Sequence, residues 1–453
     1  LFAGNDSQWD GALQTTVNAV LAALILLPLA TMFQRTMPGP WKIVNLGLLA
    51  LLLGSAVLYE NALWGFQSQF YFLILFSLIH FWGVWSISAG RLQWAIGWLA
   101  GLAAIFSFGS GWLAPVLSIT LLTINDLGNR RRPNCRWVLL ALLALIGMTV
   151  TWLGQQTESS VSVGAETIGF ALKLLSFPSR ELSWVAAVVW FPFAAFVITL
   201  LRRRKMPNSD RYILAAGLWV LAHVGAITLT RLAPQDVAPN RYLDIMMIGV
   251  AVNAAVLVLL IRAWAEKFPQ RLPKLSGTVV IALWTGVVIH SAWATHQTHH
   301  TYVEPILERN HHEQRERILA FLNTGDPVHI REVSYPEVPS SVPDQFVEQL
   351  RNPYIVRMLP AEIQTDLGIN FPDNPELNNA LPTNVPHNAG VINRGTYLRP
   401  LGQQASVVAE SAPVPLNRTG FLRMDIAGVL HPPTTSIELR STVSPQIRTF
   451  AEP

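Results

Sequence analysis

The first 294 residues are governed by one repeating feature: apolar runs close to the length of a bilayer crossing, separated by short polar loops. A helix needs about 20 predominantly apolar residues to span the hydrocarbon core. Ten runs come near that length, at 12–33, 43–58, 70–88, 92–108, 112–125, 137–153, 184–201, 212–230, 242–261 and 277–294. Lipid offers no hydrogen bonds to the backbone, so a single-segment run can satisfy its N–H and C=O groups only as an α-helix. The pattern predicts an α-helical polytopic membrane domain of about ten transmembrane helices over residues 1–294. Between two of the runs, Phe106-Ser107-Phe108-Gly109-Ser110-Gly111-Trp112 reads as either a tight hairpin or a partly re-entrant segment.

Composition marks where this domain ends. Of 453 residues, 51% are hydrophobic and 13% charged, which is far from a soluble average. All 16 Trp lie at or before Trp293, no Lys follows residue 294, and 18 of the 30 Pro do. Residues 295–453 therefore read as a water-soluble, loop-rich tail. It opens with a charged helical stem at 303–322, where Ile306, Ile318, Leu319 and Phe321 supply one apolar face. Alternating runs at 420–426 and 436–440 have the period of strands in a β-sandwich. The single cysteine, Cys135, allows no intramolecular disulfide. The chain opens on Leu1 with no leader ahead of the first run, and it stops at Pro453 short of a full set of strands. Both ends read as truncated.

Lys and Arg set the orientation. One set of alternate loops carries 16 of them, from Arg35 and Lys42 through Arg130–Arg132 and Arg202–Lys205 to Lys274. The other set carries four: Lys173, Arg180, Arg231 and Arg241. The positive-inside rule puts the first set in the cytoplasm. The loops 59–69 and 231–241, the turn 109–111, the segment 154–183 and both chain ends then lie outside. Within 154–183, Ile168, Ala171, Leu172 and Leu175 recur at helical spacing between Glu166 and Lys173, as in a short helix lying on the outer surface. An ordinary structured loop fits that segment as well. The net charge of +4 reports topology, because no basic patch interleaved with aromatics marks nucleic-acid binding.

Ionisable groups are expensive in hydrocarbon, so those at its edge are the functional candidates. Inside the runs there are only His80, His223 and His290, with Asp244 near an outer end, which argues against ion-coupled transport. The outer loops are richer. Tyr59–Phe72, YENALWGFQSQFYF, holds Glu60, Asn61, Gln67 and Gln69. A second loop holds Arg231, Asp236, Asn240, Arg241 and Asp244, and a third Glu158, Glu166, Lys173, Arg180 and Glu181. Carboxylates beside Arg suit a site that handles a phosphate leaving group, with Arg on the phosphate and a carboxylate as base or metal ligand. Trp64, Phe66, Phe70 and Tyr71 read as an interfacial aromatic belt. Arg241 and Asp244, three apart at a helix start, also fit a plain ion pair. His296 and His300 have the i,i+4 spacing of a shared metal, but no third ligand completes the set, and a solvated stem accounts for the His run. No metal ligands are assigned.

The segments Gly4–Gly11, the ENALWGFQSQFYF loop, the FSFGSGW turn and Asn240-Arg241-Tyr242 together resemble bacterial integral membrane proteins similar to the GT-C superfamily of polytopic glycosyltransferases. The resemblance covers about residues 1–294. It implies transfer of a sugar from a polyprenyl-phosphate donor in the lipid bilayer to a glycan or lipid acceptor at the outer face, with a divalent metal as candidate cofactor. In that superfamily an acidic residue of the first outer loop is the base or metal ligand. Here that loop would lie mostly upstream of Leu1, with only Asp6 and Asp10 to represent its end; Glu60 is the catalytic candidate that the outer loop 59–69 supplies. Asn61, Gln67, Gln69, Arg231, Asp236, Arg241 and Tyr242 form the candidate substrate-binding set. The resemblance likens the tail to the carbohydrate-binding domains appended to such enzymes. A non-enzymatic membrane protein that binds or moves a cell-envelope glycan is the alternative.

Overall fold

The computed structural model describes residues 11–37, 39–55, 58, 60–61, 67–85, 90–128, 134–154, 164–179, 181–202, 208–230, 240–267, 271–333, 338–340, 342–352, 355–356, 359, 437–440 and 447–450. The chain divides into two compact units, one reaching Glu308 and one beginning at Arg309. In the first lie α1 (Gly11–Thr36), α2 (Gly39–Leu53), α3 (Ser68–Trp85), α4 (Arg91–Ser107), α5 (Leu113–Gly128) and α6 (Cys135–Gly154). They are followed by α7 (Ala165–Leu175), α8 (Val185–Leu201), α9 (Asn208–Thr230), a 3-10 turn at Asn240–Tyr242, α10 (Leu243–Lys267), α11 (Arg271–Thr298) and a π-helical turn at His299–Val303.

Each of the ten apolar runs coincides with a helix. Among the described residues, six helices are long and apolar enough to cross a membrane, while α2, α5 and α8 are shorter apolar helices. The tenth, α4, has 17 residues and opens on Arg91. By length and composition this is a membrane-spanning protein.

Helices of similar hydropathy take opposite places. Every residue of α10 from Leu243 to Val258 is buried, and α10 packs against α1, α2, α8, α9 and α11. It is the axis of the bundle. By contrast α6 leaves Val138, Leu142, Leu145, Met148, Trp152 and Leu153 exposed. Apolar surface of that extent is unfavourable in water at about 25 cal/mol per Å² and carries no such cost against lipid.

Small residues and backbone pairing fix the contacts. Gly83 of α3 and Gly97 of α4 face each other so closely that a Cβ on either would run into the other's backbone. Close approach of this kind is how helices associate in lipid, where packing replaces the hydrophobic effect. Beside it, His80 Nδ1 lies 2.9 Å from the Gly97 carbonyl and Nε2 lies 2.9 Å from Ser118 Oγ. A carbonyl only accepts, so Nδ1 carries the proton, and the serine hydroxyl can donate to Nε2. His223 repeats the arrangement with the Trp219 carbonyl and Ser110 Oγ, each at 2.9 Å. Both histidines are tethers between segments. The second tether holds the 108–112 turn, which is a tight hairpin closed by the Gly111 N–H on the Phe108 carbonyl at 2.8 Å.

Pro192 lies inside α8. A proline there has no N–H and pushes away the carbonyl four residues back, here Val188, leaving helix-breaking costs of about 3 kcal/mol unless neighbours intervene. They do. Trp284 of α11 donates its Nε1–H to the Val188 carbonyl at 3.2 Å. Asn253 of α10 accepts the Phe193 N–H on Oδ1 at 3.0 Å and donates to its own Gly249 carbonyl at 2.8 Å.

The amphipathic helix expected near 168–175 is α7, but its buried face differs. Thr167 and Leu174 are buried, while Ile168 and Leu172 are exposed. Backbone bonds set this choice: the Leu175 carbonyl accepts from Trp190 Nε1 at 3.1 Å, and the Pro178 carbonyl from Thr295 Oγ1 at 2.8 Å. The segment is thereby held on the ends of α8 and α11.

The expected stem corresponds to α12 (Glu304–Thr324), followed in the second unit by α13 (Val328–Arg331) and α14 (Pro343–Arg351). Ile318, Phe321 and Leu322 pack with Ile330, Val338, Val347 and Leu350 into a small core of that unit's own. Ile306 is exposed, so the apolar face is shorter than its spacing suggested. Of the expected strands, Ile437–Arg440 (β1) pairs antiparallel with Ile447–Phe450 (β2), in the register Ile437 to Phe450. The strand signal at 420–426 lies outside the described residues.

Candidate functional site

Two short stretches of chain meet at one end of the bundle. One is Glu60–Asn61; the other is the 3-10 turn Asn240–Tyr242 with the first turn of α10. The turn is placed by α10, the most buried helix, so whatever it holds is held by the stiffest part of the fold. Glu60 grips it twice. The Arg241 backbone N–H donates to Glu60 Oε2 at 3.1 Å, and the Arg241 guanidinium Nη1 lies 3.7 Å from Glu60 Oε1. The Arg241 guanidinium also lies over the Tyr242 ring, 5.4 Å from its centroid.

Asn61 is the second grip and joins three elements. Its side-chain Nδ2 donates to the Arg241 carbonyl at 2.7 Å and to Asp244 Oδ2 at 2.5 Å. The Arg241 carbonyl only accepts, so the amide orientation is fixed, and both contacts are made by Nδ2. From α1, Asn18 Nδ2 donates to the Asn61 carbonyl at 2.9 Å. The result is a connected polar cluster: Asn18, Glu60, Asn61, Arg241 and Asp244.

Burial differs sharply across it. Asn61 and Asp244 are 0% and 1% exposed, while the side chains of Glu60 and Arg241 retain 13% and 29%. Glu60 and Arg241 form the face that a solute can touch, and Asn61 with Asp244 form the floor. Among the described residues, several polar atoms here have no hydrogen-bond partner. Arg241 Nε is a buried donor without an acceptor. Asn61 Oδ1, Asp244 Oδ1, Gln67 Oε1 and Asn240 Oδ1 are buried acceptors without a donor. Such groups cost about 1–3 kcal/mol each when left unpaired, so they mark places built for something else to bind.

Of the candidate residues, the structure brings together Glu60, Asn61, Arg241 and Tyr242. Gln67 is buried immediately before α3, and Gln69 is half-buried on its first turn. Asp6, Asp10, Arg231 and Asp236 lie outside the described residues, as do Trp64 and Phe66. Phe70 and Tyr71 do not form an interfacial belt. Each is 2% exposed, and Phe70 packs on Phe108 and, edge-on, on Tyr242 with centroids 4.5 and 6.1 Å away. They point inward because the start of α3 is already inside the bundle. The Arg241–Asp244 pair is corrected as well: Arg241 is paired with Glu60, and Asp244 is bonded to Asn61.

Asn18 is the member that a choice by loop composition leaves out, and Asp244, counted there among the outer-loop charges, is given no role in the site. Asp244 is the third residue of its apolar run, and Asn18 lies within another that also holds Gln14. A polar residue in a predicted span is itself the signal that would have found Asn18.

His296 and His300 do stack, with parallel rings 6.4 Å apart, and His300 Nδ1 meets Glu304 Oε2 at 2.5 Å. Parallel rings do not converge on one ion. Among the described residues no three His, Cys, Asp or Glu side chains gather as metal ligands. Comparison with protein-family models, curated protein sequences and solved structures returns no match to this chain.

Proposed function

We propose that the protein transfers a sugar from a polyprenyl-phosphate-linked donor to a glycan or lipid acceptor, at the outer face of a bacterial cytoplasmic membrane. The observation that carries this reading is the junction of Glu60 with Arg241, 181 residues apart in sequence, at the edge of a membrane-length bundle. A carboxylate and a guanidinium held together there are the two groups such a transfer needs. Arg241 offers a half-exposed guanidinium whose Nε has no acceptor. A guanidinium meets phosphate oxygens with a fork of donors, so it suits the departing lipid phosphate. Glu60, the more exposed of the two cluster carboxylates, suits the acceptor hydroxyl, whose proton it takes as the glycosidic bond forms. Asp244 and Asn61, beneath them, hold the turn that carries Arg241. The apolar bundle would keep the polyprenyl chain in lipid while the sugar lies at the surface.

The test is donor consumption by the purified full chain in vesicles, read by release of polyprenyl phosphate. Glu60→Gln and Arg241→Ala should each lower the rate by at least about a hundredfold, the scale of losing a general base or a charge-stabilising donor. Glycan binding without donor consumption would instead support the non-enzymatic reading.

A further inference from the structure

We propose that the buried floor of this site binds a hard, oxygen-seeking cation, with Asp244 Oδ1 and Asn61 Oδ1 as its central ligands and the side-chain oxygens of Asn240 and Gln67 beside them. The proposal rests on the cluster's own geometry and holds whether or not the protein transfers sugar.

The first observation is charge. Asp244 is 1% exposed, and among the described residues no Lys, Arg or His nitrogen lies within ion-pair distance of it. Its neighbour Glu60 is also acidic, and Arg241 is paired with Glu60. An unpaired buried carboxylate is costly, and a fold that keeps one needs a counter-charge or a proton. Asn61 supplies one hydrogen bond to Oδ2 and no charge.

The second observation is independent of charge: among the described residues, the unpartnered buried atoms of Asn61, Gln67, Asn240 and Asp244 are all oxygens, and the Arg241 Nε donor belongs to the face above them. Asn61, Gln67, Asn240 and Asp244 are each at most 4% exposed, and each has a side-chain oxygen without a donor. For Asn61 the two bonds made by Nδ2 rule out an inverted amide, so Oδ1 is the atom left over. A site for a hydroxyl-rich or anionic ligand would need donors on the floor. A floor of one carboxylate and three amide oxygens, with no nitrogen or sulfur ligand, is the ligand chemistry of calcium, magnesium or sodium. Three of these four ligands are amides, so the site calls for no cluster of His, Cys, Asp and Glu, and among the described residues there is none.

The chain links these residues closely. Asn240 precedes Arg241, whose carbonyl Asn61 grips, and Gln67 stands three residues before Phe70, which packs on Tyr242. Tyr71 lies within electrostatic reach of Asp244. An aromatic near the floor gives the site an optical handle.

The experiment uses the purified full chain stripped with a chelator, its unfolding followed by tryptophan fluorescence during titration with Ca²⁺, Mg²⁺ or Na⁺. At least one should raise the unfolding midpoint by a few degrees at about a hundredfold excess over its half-saturating concentration. Asp244→Asn should abolish the rise. Asn240→Ala and Gln67→Ala, which remove one neutral ligand each, should raise the half-saturating concentration about tenfold or more, and they carry the test if Asp244→Asn does not fold. Asp126→Asn, another buried carboxylate, should leave the response intact. Terbium, which replaces calcium at oxygen sites, should luminesce on tyrosine excitation and be displaced by the natural ion. No midpoint shift with any of the three cations and no terbium signal, or a response unchanged in the ligand variants, would mean that Asp244 is balanced by a proton and overturn the proposal.

Discussion

Asn61 and Asp244 stand 183 residues apart in sequence and share a buried hydrogen bond, Nδ2 to Oδ2, that locks the Glu60 stretch onto the first turn of α10. The same amide nitrogen holds the Arg241 carbonyl, so one side chain fixes the position of both Glu60 and Arg241.

Removing that amide should therefore unfold more than a loop. Asn61→Ala leaves the Arg241 carbonyl and Asp244 Oδ2 without this donor in a buried place, at about 1–3 kcal/mol for each group. Asn61→Asp should cost more, because it sets a second acceptor, and a second negative charge, against Asp244. The check is thermal unfolding of the detergent-solubilised protein, with the order wild type, then Asn61→Ala, then Asn61→Asp. Equal midpoints would mean the hydrogen bond is incidental.

The proline in α8 gives a test by double-mutant cycle. Asn253→Leu leaves the Phe193 N–H without its partner, and Trp284→Phe does the same to the Val188 carbonyl; each should lose about 1–3 kcal/mol. Pro192→Ala restores an N–H that can bond Val188 within the helix. In that background both losses should shrink, a coupling that unconnected sites would not show.

Glycine substitutions should split by sign. Gly83→Ala and Gly97→Ala force α3 and α4 apart, with a cost of at least about 1–3 kcal/mol. Gly47→Ala, in α2, meets nothing within 4 Å and should stabilise by about 0.5–1 kcal/mol. Unfolding midpoints of the three variants decide it.

Orientation has a built-in probe. Cys135, the single cysteine, is free and exposed at the start of α6, next to Arg136 at the basic end. In sealed right-side-out vesicles a membrane-impermeant maleimide should label it only after permeabilisation. With Cys135→Ser, a Gly164→Cys variant ahead of α7 should be labelled without permeabilisation. The reverse pattern would invert the topology and place Glu60 and Arg241 in the cytoplasm.

Helix positions were legible because lipid leaves an apolar run one fold to adopt. Which helix is central was not. Both α6 and α10 are long and apolar enough to span, and hydropathy does not separate a lipid-facing surface from a protein-facing one; only packing reveals that α10 is buried from Leu243 to Val258 while α6 faces outward. Within the site, Glu60, Asn61 and Arg241 stood out as polar groups interrupting apolar chain. Asn18 is hidden inside a run, and Asp244, though visible as a charge, has no local spacing to connect it with Asn61, 183 residues away. Phe70 and Tyr71 depart from the expected belt for a related reason: an aromatic at the edge of a run looks the same whether it faces the interface or the core.

The central claim is that Glu60 and Arg241 form a working pair. Its most direct measurement is release of polyprenyl phosphate from a lipid-linked sugar by the full chain in vesicles, comparing wild type with Glu60→Gln and Arg241→Ala at matched folding. The account predicts turnover by wild type and a loss of at least about a hundredfold in each variant. Undiminished turnover in both variants, or no turnover by wild type with any lipid-linked sugar tried, would contradict it.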